Sequence, residues 1–288
     1  MRVLITGTDG QLGTDLCRVL QGVEVVALTH SDIEISDMNS VRTIFVRHQP
    51  DVVINTAAFV RVDDCETEQD KTFLINALGA RNVAVASQEI KAKLVHISTD
   101  YVFGGKSDST TSPYTEFDTP LPTNIYGKSK LAGENLVRHL CSNYFIVRTS
   151  GLFGIAGASG KGGNFVETIL RLAQEREELR VLNDQVFSPT YTRDLARKIA
   201  QLITTEYYGI FHITNRGSCS WYEFAKEILK LAGLETPVVH ITSDQYPQKA
   251  RRPSFSVLDN YHLRLLGMDD MKPWQEALKD YMREKGHI

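Results

Sequence analysis

Short apolar runs of β type alternate with amphipathic stretches of helical period through the first half of the chain. The apolar runs cover residues 3–6, 24–28, 52–56, 94–98 and 144–148, and the helical stretches lie around residues 11–20, 38–48, 70–89 and 126–140. Such alternation favours parallel βαβ units, so we expect an α/β fold with a doubly wound parallel sheet. Ligands of these sheets bind outside the carboxyl ends of the strands, where functional side chains are therefore expected.

The second half of the chain has a less regular pattern. It predicts helices at 164–176, 193–204, 220–231 and 275–284, and strands at 179–182 and 210–213. We expect residues 1–150 to form the sheet domain and residues 151–288 to form mainly a smaller C-terminal α/β lobe, with some chain returning to the first domain. Residues 104–124 and the glycine-rich residues 151–163 are expected to be long binding loops, the second of them mobile.

Composition excludes several classes of protein. A net charge of −3 over 288 residues gives no reason to expect nucleic acid or an anionic membrane as partner. No apolar stretch reaches the roughly 20 residues that span a bilayer, and no secretory leader precedes the first run. The four cysteines are scattered without metal-binding spacing, which indicates reduced thiols in the cytoplasm and no metal site.

A glycine-punctuated turn follows the first apolar run. Gly7, Gly10 and Gly13 are spaced three residues apart, and the first helix opens among them at Gln11 and Leu12. Glycine allows close approach of the backbone to a ligand, and a helix N-terminus attracts a pyrophosphate. We predict that this turn binds a dinucleotide, the alternative being a tight turn without a ligand.

The residues after the second run bear on the choice of dinucleotide. Many folds of this kind place an acid there to hold the ribose 2′-hydroxyl, but this chain has Thr29, His30 and Ser31. These polar groups suit a 2′-phosphate and favour NADPH over NADH. After the third run, the small residues expected to let the cofactor pass close to the backbone are Asn55, Ala57 and Ala58, although the alanines would equally serve packing.

Tyr126 and Lys130 are four residues apart in a predicted helix and therefore share one face. A neighbouring ammonium lowers the pKa of a phenol, which suits Tyr126 for proton transfer. Thr99, at the end of the fourth run, has a hydroxyl that would hydrogen-bond a substrate carbonyl beside this pair. The alternative is an ordinary surface helix.

These motifs together resemble the extended short-chain dehydrogenase/reductase superfamily and, within it, the dTDP-4-dehydrorhamnose reductase family. The resemblance runs over nearly the whole chain and is carried by residues 7–13, 55–58, 62–63, 75–77, 98–103, 124–134, 147–150, 183–185, 188–190 and 252–253. It implies a Rossmann-type sheet domain and a C-terminal lobe for a nucleotide sugar. The implied reaction is NADPH- or NADH-dependent reduction of the 4-keto group of dTDP-4-dehydro-L-rhamnose, giving dTDP-L-rhamnose for cell-surface polysaccharide.

The resemblance also implies roles for individual residues. Thr99, Tyr126 and Lys130 would be catalytic, and Asn76 would join Tyr126 and Lys130 at the cofactor. The expected substrate-binding residues are Thr99, Asp100, Tyr101, Gly151, Asn164, Gln185 and Arg252, of which the Arg252 guanidinium suits a diphosphate. A homodimer is the expected assembly.

Four positions on the substrate side depart from the family pattern. Gly151 stands where members usually carry tryptophan against the sugar, and Phe187 where they often have glycine. Val60 and Gly163 replace a common threonine and asparagine. The sugar and its configuration at C4 therefore stay open. The alternatives are a reductase or epimerase for a different dTDP-4-keto-deoxysugar, and a non-catalytic regulatory subunit of the same fold.

Overall fold

The computed structural model describes residues 1–105, 112–157 and 163–288 of the protein. In chain order its strands are β1 (Arg2–Thr6), β2 (Glu24–Leu28), β3 (Val52–Asn55), β4 (Lys93–Thr99), β5 (Tyr144–Thr149), β6 (Leu152–Phe153), β7 (Leu179–Leu182), β8 (Val186–Phe187), β9 (Thr190–Tyr191), β10 (Gly209–His212), β11 (Cys219–Ser220) and β12 (Val238–Ile241). Six of them form the central sheet in the order β10-β5-β4-β3-β1-β2, and all neighbours in it are parallel.

Helices connect these strands and cover both faces of the central sheet. They are α1 (Gln11–Val19), α2 (Met38–His48), α3 (Val62–Thr67), α4 (Gln69–Phe73), α5 (Ala80–Glu89), α6 (Ile125–Leu140), α7 (Phe165–Glu175), α8 (Thr192–Leu202), α9 (Trp221–Ala232), α10 (Tyr261–Leu265) and α11 (Trp274–Lys285). The single helix predicted at 70–89 is in fact α4 and α5 joined by a π-helical segment, Leu74–Gly79. Short π segments occur often at functional sites.

The central sheet is buried on both faces. Val3, Ile5 and Phe145 pack with α1 and α8 on one face, whereas Leu4 and Ile146 pack with α2, α5 and α6 on the other. Burial on both faces explains why the strands are near-continuous apolar runs. The predicted α/β class, a Rossmann-type doubly wound parallel sheet, is confirmed.

The chain after β5 divides between the central sheet and a second cluster. Strand β10 pairs with β5, and α8 packs on α1. A separate hydrophobic cluster gathers α7, α9 and α11 with β7, which pairs with β12. The predicted loops at 104–124 and 151–163 include residues 106–111 and 158–162, which lie outside the described residues. Within the described ranges, no helix combines the length and apolar character needed to cross a membrane.

Candidate active site

A cavity of about 840 Å³ opens at the carboxyl ends of the central strands. The predicted cofactor residues that line it are Gly7, Gly10, Gln11, Leu12, Gly13, Thr29, His30, Ala57, Ala58, Tyr126 and Lys130. The predicted substrate residues that line it are Thr99, Asp100, Tyr101, Gly151, Gln185 and Arg252. Because β1 and β2 lie at one side of the sheet and β4 and β5 toward the other, the glycine turn and Thr99 occupy different parts of this cavity.

The turn between β1 and α1 leaves no room for a side chain at two glycines. Gly7 has a φ of +72°, and a Cβ there would lie 2.8 Å from the Thr56 hydroxyl oxygen. A Cβ on Gly13 would lie 2.3 Å from the Gly7 carbonyl oxygen. Helix α1 begins without a side-chain cap from Gly10. An uncapped helix N-terminus behind close-packed glycines suits a pyrophosphate, so these residues fit a dinucleotide cofactor.

The turn after β2 is organised by a carboxylate. Asp32 accepts hydrogen bonds from the Thr29 amide at 2.8 Å and from its hydroxyl at 2.6 Å, and the Ser31 hydroxyl lies 2.8 Å from that of Thr29. His30 is 81% exposed and its Nδ1 is 3.8 Å from a Glu34 carboxylate oxygen. Because Thr29 gives its hydroxyl proton to Asp32, His30 is the better placed donor for a ribose phosphate.

The two asparagines predicted at the cofactor lie behind the cavity wall. Asn55 is fully buried: its Oδ1 accepts from the Thr6 hydroxyl at 2.7 Å and its Nδ2 is 3.3 Å from His96 Nδ1. Asn76 exchanges two hydrogen bonds with the Phe59 backbone, at 2.8 and 3.0 Å. The Asn55 amide is engaged inside the sheet, and the expected close passage of the cofactor along the backbone at this residue stays a prediction. Asn76 supports the loop that forms the wall.

Helix α6 approaches the end of β4 closely because of its first turn. The Asn124 side chain accepts from the Gly127 amide at 2.8 Å and so caps the helix. A Cβ on Gly127 would lie 2.1 Å from the Tyr101 carbonyl oxygen. Glycine at this position therefore allows Tyr126 to reach the residues that follow β4.

The three residues predicted for chemistry meet at this contact. The Thr99 hydroxyl lies near enough to the Tyr126 phenol to influence its pKa, and the Tyr126 ring packs edge-on against Tyr101 with centroids 5.9 Å apart. Lys130 is 2% exposed, and its ammonium donates to the Ile97 carbonyl oxygen at 2.7 Å. The helix spacing puts Tyr126 and Lys130 on one face of α6, and the close approach of α6 to the end of β4 adds Thr99 to the same wall of the cavity.

Burial controls the protonation of this wall. It raises the pKa of the Tyr126 phenol, although the Thr99 hydroxyl opposes the rise. It lowers the pKa of Lys130 to about 8. The prediction that the Lys130 ammonium lowers the pKa of Tyr126 is therefore wrong for this structure. Desolvation of the phenol outweighs the attraction, and the Lys130 ammonium is hydrogen-bonded to the backbone.

Asp100 forms a second polar cluster next to Thr99. Its carboxylate accepts hydrogen bonds from the hydroxyls of Ser256 at 2.6 Å, Ser150 at 2.8 Å and Thr99 at 3.1 Å. Burial raises the pKa of Asp100 to about 6, against the effect of these three donors. The cluster joins the ends of β4 and β5 to a segment near residue 256 and fixes the orientation of the Thr99 hydroxyl.

The family model of the RmlD substrate binding domain matches residues 1–286. This chain belongs to that family. It is 48% identical over 286 residues to the spore coat polysaccharide biosynthesis protein SpsK of Bacillus subtilis, covering 99% of this chain and 98% of the relative. It is 38% identical over 281 residues to the dTDP-4-keto-6-deoxy-D-glucose reductase of Streptomyces niveus, covering 96% of this chain and 95% of the relative.

A solved member of the RmlD family has the same fold throughout. The structure of dTDP-4-dehydrorhamnose reductase from Bacillus anthracis in complex with NADP superposes with a TM-score of 0.93 at 44% identity. The match covers 98% of this chain and 99% of that protein. The resemblance drawn from the motifs is therefore confirmed, and the expected NADP type of cofactor is the one named for this relative.

In this protein Arg252, predicted to bind a diphosphate, already forms an ion pair with Asp63. Its two terminal nitrogens donate to the Asp63 carboxylate at 2.9 and 2.8 Å, and one also donates to the Ala250 carbonyl oxygen at 3.0 Å. This ion pair lowers the pKa of Asp63 to about 2. The guanidinium thus borders the cavity with most of its charge balanced, and its clearest role is to join the C-terminal part to helix α3.

Asn164 and Gln185, both predicted to bind the substrate, also hydrogen-bond within the protein. Asn164 caps α7 by accepting from the Glu167 amide at 3.1 Å, while its Nδ2 donates to the Gly154 carbonyl and the Tyr281 hydroxyl. Asn164 also borders a smaller pocket together with Gln11 and Gly151, so its predicted contact with the substrate stays a prediction. Gln185 lines the cavity, but its Nε2 donates to the Ser243 hydroxyl at 3.0 Å.

Some residues of the site were missed from the sequence. Ser150 and Ser256 hold the Asp100 carboxylate, and Glu134 lies one helical turn beyond Lys130. Glu134 could have been predicted from the sequence, because a spacing of four residues puts it on the same helical face as Tyr126 and Lys130. Ser256 had none, because it comes to Asp100 through a contact 156 residues away in sequence. Across the described ranges, no three His, Cys, Asp or Glu side chains are grouped to hold a metal ion.

Proposed function

We propose that this chain catalyses NADPH-dependent reduction of the 4-keto group of dTDP-4-dehydro-L-rhamnose, giving dTDP-L-rhamnose for cell-surface polysaccharide. The observation that carries the proposal is the meeting of Thr99, Tyr126 and Lys130 at the end of β4, in one cavity with the glycine turn. Membership of the RmlD family over residues 1–286 and the NADP complex of a relative support it.

The cofactor would be held by the segments that line the first part of the cavity. Gly7 and Gly13 allow the close backbone packing that would present the N-terminus of α1 to the pyrophosphate, and the exposed His30 would bind the ribose phosphate. Ala57 and Ala58 line the cavity with small side chains that would let the cofactor approach the backbone, and Lys130 lines it on the same helix as Tyr126. NADPH supplies the hydride when it is bound, and the protein supplies orientation and the proton.

Thr99, Tyr126 and Lys130 have different roles in the reduction. When the substrate binds, the Thr99 hydroxyl turns its proton from Asp100, to which it donates in the structure, to the substrate oxygen next to Tyr126. Tyr126 gives its proton to the oxygen as the carbonyl is reduced. Burial raises the pKa of this phenol, so it carries its proton at neutral pH, as a general acid must. Lys130 stabilises the tyrosinate that remains.

The division of the chain follows from this assignment. We place the cofactor in residues 1–150 and the nucleotide sugar mainly against residues 151–288, with α8 and β10 returning to the central sheet. Gly151, Gln185 and Arg252 would face the substrate. We place the activity in the cytoplasm, where thiols such as the four free cysteines stay reduced, and a homodimer is the proposed assembly.

A second candidate keeps the chemistry and changes the sugar. The 38% identical relative from Streptomyces niveus is named for a different 4-keto-6-deoxysugar, and both Gly151 and Phe187 depart from the pattern on the substrate side. An epimerase acting on such a sugar, or a non-catalytic subunit of this fold, is the remaining alternative.

The deciding experiment follows NADPH oxidation at 340 nm with a panel of dTDP-4-keto-6-deoxysugars and reads the C4 configuration of the product by NMR. We expect turnover of dTDP-4-dehydro-L-rhamnose to dTDP-L-rhamnose. Turnover of another member of the panel alone would select the second candidate. Absence of NADPH oxidation with all of them, by protein that binds NADPH, would leave a non-reductase function.

A further inference from the structure

Gly151 and Phe187 fit one another at the substrate side of the cavity. Gly151 follows β5 with a φ of +54°, and a Cβ there would lie 2.3 and 2.4 Å from two carbons of the Phe187 ring. The phenyl ring therefore occupies the space that any side chain at position 151 would need. The glycine at position 151 and the phenylalanine at position 187, two of the departures from the family pattern, are therefore coupled. The aromatic side chain at this place comes from β8 instead of from position 151.

Two short routes connect this ring to the reacting groups. Asp100, which orients Thr99, accepts a hydrogen bond from Ser150, the residue before Gly151. Asp100 also accepts from Ser256, whose amide donates to the carbonyl of Val186 at 3.0 Å. Gly151 directly follows Ser150 and Phe187 directly follows Val186, and both line the same cavity as Thr99 and Tyr126, so the ring faces the space that the substrate enters.

The wall formed here is apolar and firmly supported. The Phe187 ring stacks on the Trp221 indole with centroids 3.9 Å apart and packs edge-on against Phe224. Phe187 itself is only 4% exposed, and Val186 and Trp221 extend the wall along the cavity. The polar neighbour Gln185 donates its amide to Ser243, which turns that donor away from a ligand at the wall.

We propose that Phe187, in the space left by Gly151, is the specificity-determining residue that receives the methyl group at C5 of the sugar. The inference rests on the proposed 4-keto reductase function. A methyl group gains burial against the stacked rings, whereas a hydroxymethyl group would bring its hydroxyl against apolar ring surface and lose contact with water. An apolar site rejects an added hydroxyl by at most about 100-fold, so a preference of about 10- to 100-fold is expected.

The test compares dTDP-L-rhamnose with its analogue that carries a hydroxymethyl group at C5. Both are oxidised at C4 with NADP⁺, and the ratio of their kcat/KM values is measured for the wild type, Phe187→Leu and Phe187→Gln. Leucine and glutamine are similar in size, so the pair isolates polarity. We expect the methyl preference to persist in Phe187→Leu and to fall at least about fivefold in Phe187→Gln, with the NADPH dissociation constant unchanged.

Three outcomes of this comparison overturn the inference. They are equal kcat/KM values for the two sugars in the wild type, an equal loss of preference in both variants, and an unchanged preference in Phe187→Gln. The first leaves the proposed function standing, because both sugars still turn over. Failure of the wild type to oxidise either sugar would instead remove the proposed function and the inference together.

A second variant keeps the test decisive if glutamine prevents folding at this buried position. Gly151→Ala places a methyl group 2.3 Å from a carbon of the Phe187 ring, so the ring must move from its position in the cavity wall. We expect the KM for dTDP-L-rhamnose to rise at least about fivefold while the NADPH dissociation constant stays at the wild-type value. An unchanged KM in folded Gly151→Ala would show that the ring does not contact the sugar.

Discussion

Glu134 and Arg148 form a bidentate ion pair beneath the candidate active site, and both side chains are almost fully buried. Arg148 donates from Nη2 to one carboxylate oxygen at 2.7 Å and from Nε to the other at 3.0 Å. The Ser98 hydroxyl donates to the same carboxylate at 2.5 Å. The pair therefore ties α6, which carries Tyr126 and Lys130, to the strands that end at Thr99 and Thr149.

Glu134→Gln is expected to destabilise the protein strongly, because it leaves the Arg148 guanidinium buried with its charge unbalanced. Breaking a buried pair costs about 3 to 5 kcal/mol. The free energy of unfolding from denaturant titration measures this loss. The matched control is Glu175→Gln, which removes a pair with Arg171 of equal length, 2.7 Å, between side chains that are more than half exposed. Its expected cost is below about 1 kcal/mol. Equal losses in the two variants would contradict a structural role for the buried pair.

Tyr126→Phe is expected to lower kcat for keto-sugar reduction by about 10²- to 10⁴-fold, because the carbonyl oxygen loses its proton donor. The NADPH dissociation constant should change little, since the phenyl ring keeps the shape of the wall. Single-turnover kinetics with excess enzyme measures the chemical step directly. Tyr207→Phe, which alters an exposed tyrosine, should retain full activity. A Tyr126→Phe enzyme with wild-type kcat would remove this residue from the mechanism.

The regular part of the fold was predictable because its signals are local. The strand predicted at 24–28 and the helix predicted at 38–48 have the bounds that the structure gives for β2 and α2. The first strand, β1, is buried on both faces and gave a continuous apolar run. The glycine turn was also predictable, since Gly13 is required by contacts with Gly7 and Thr8 in the same βα unit.

The parts that were not predictable depend on contacts between distant segments. Strand β10 was expected near its position, but its pairing with β5 is a tertiary choice that no local pattern encodes. Short strands such as β8 and β11 lack the length to show alternation. The Asp100 cluster needs Ser256, and the pairing of Arg252 with Asp63 needs two segments 189 residues apart.

The error over Tyr126 has a general physical cause. Spacing placed Lys130 on the same helical face as Tyr126, which is correct. Spacing carries no information about desolvation, which moves the pKa of the phenol upward and that of the ammonium down to about 8. The sign of a pKa shift in a wall of this kind depends on burial that only the folded chain reveals.

Gly7→Ala is expected to weaken NADPH binding at least about tenfold, because the new methyl group would lie 2.8 Å from the Thr56 hydroxyl and 3.1 Å from the Ala57 nitrogen. Gly22→Ala is the matched control. Gly22 also has a positive φ, +89°, but a Cβ there meets no atom of the described residues within 4 Å. Both variants should lose about 1 kcal/mol or more of stability from backbone strain. Titration of NADPH fluorescence separates them, and equal affinities would place the cofactor away from this turn.

His30→Ala is expected to raise the NADPH dissociation constant about tenfold and to leave that of NADH nearly unchanged, because a hydrogen bond to a charged phosphate contributes about 1.5 kcal/mol. His30 is the exposed donor of this turn, since the Thr29 hydroxyl is held by Asp32. NADH serves as the internal control, because it lacks the 2′-phosphate. A parallel loss of affinity for both dinucleotides would show that His30 acts on the shape of the turn instead.

Asp100→Asn is expected to remove a pH dependence of stability. Burial raises the pKa of this carboxyl from 3.8 to about 6 in the folded protein. Between these values the folded state keeps a proton that the unfolded state releases, so the free energy of unfolding falls as pH rises through this window and stays lower above it. The full effect is about 3 kcal/mol, and about half of it should appear between pH 5 and pH 8.

Asparagine carries no charge at any of these pH values, so the stability advantage of the wild type over Asp100→Asn should shrink as pH rises from 5 to 8. Denaturant titrations of both proteins at the two pH values measure the difference. Ser256→Ala provides a second check, because removing the hydroxyl at 2.6 Å from the carboxylate should raise the pKa of Asp100 further and enlarge the pH effect. An advantage that stays constant with pH would mean that Asp100 is ionised in the folded protein throughout this range.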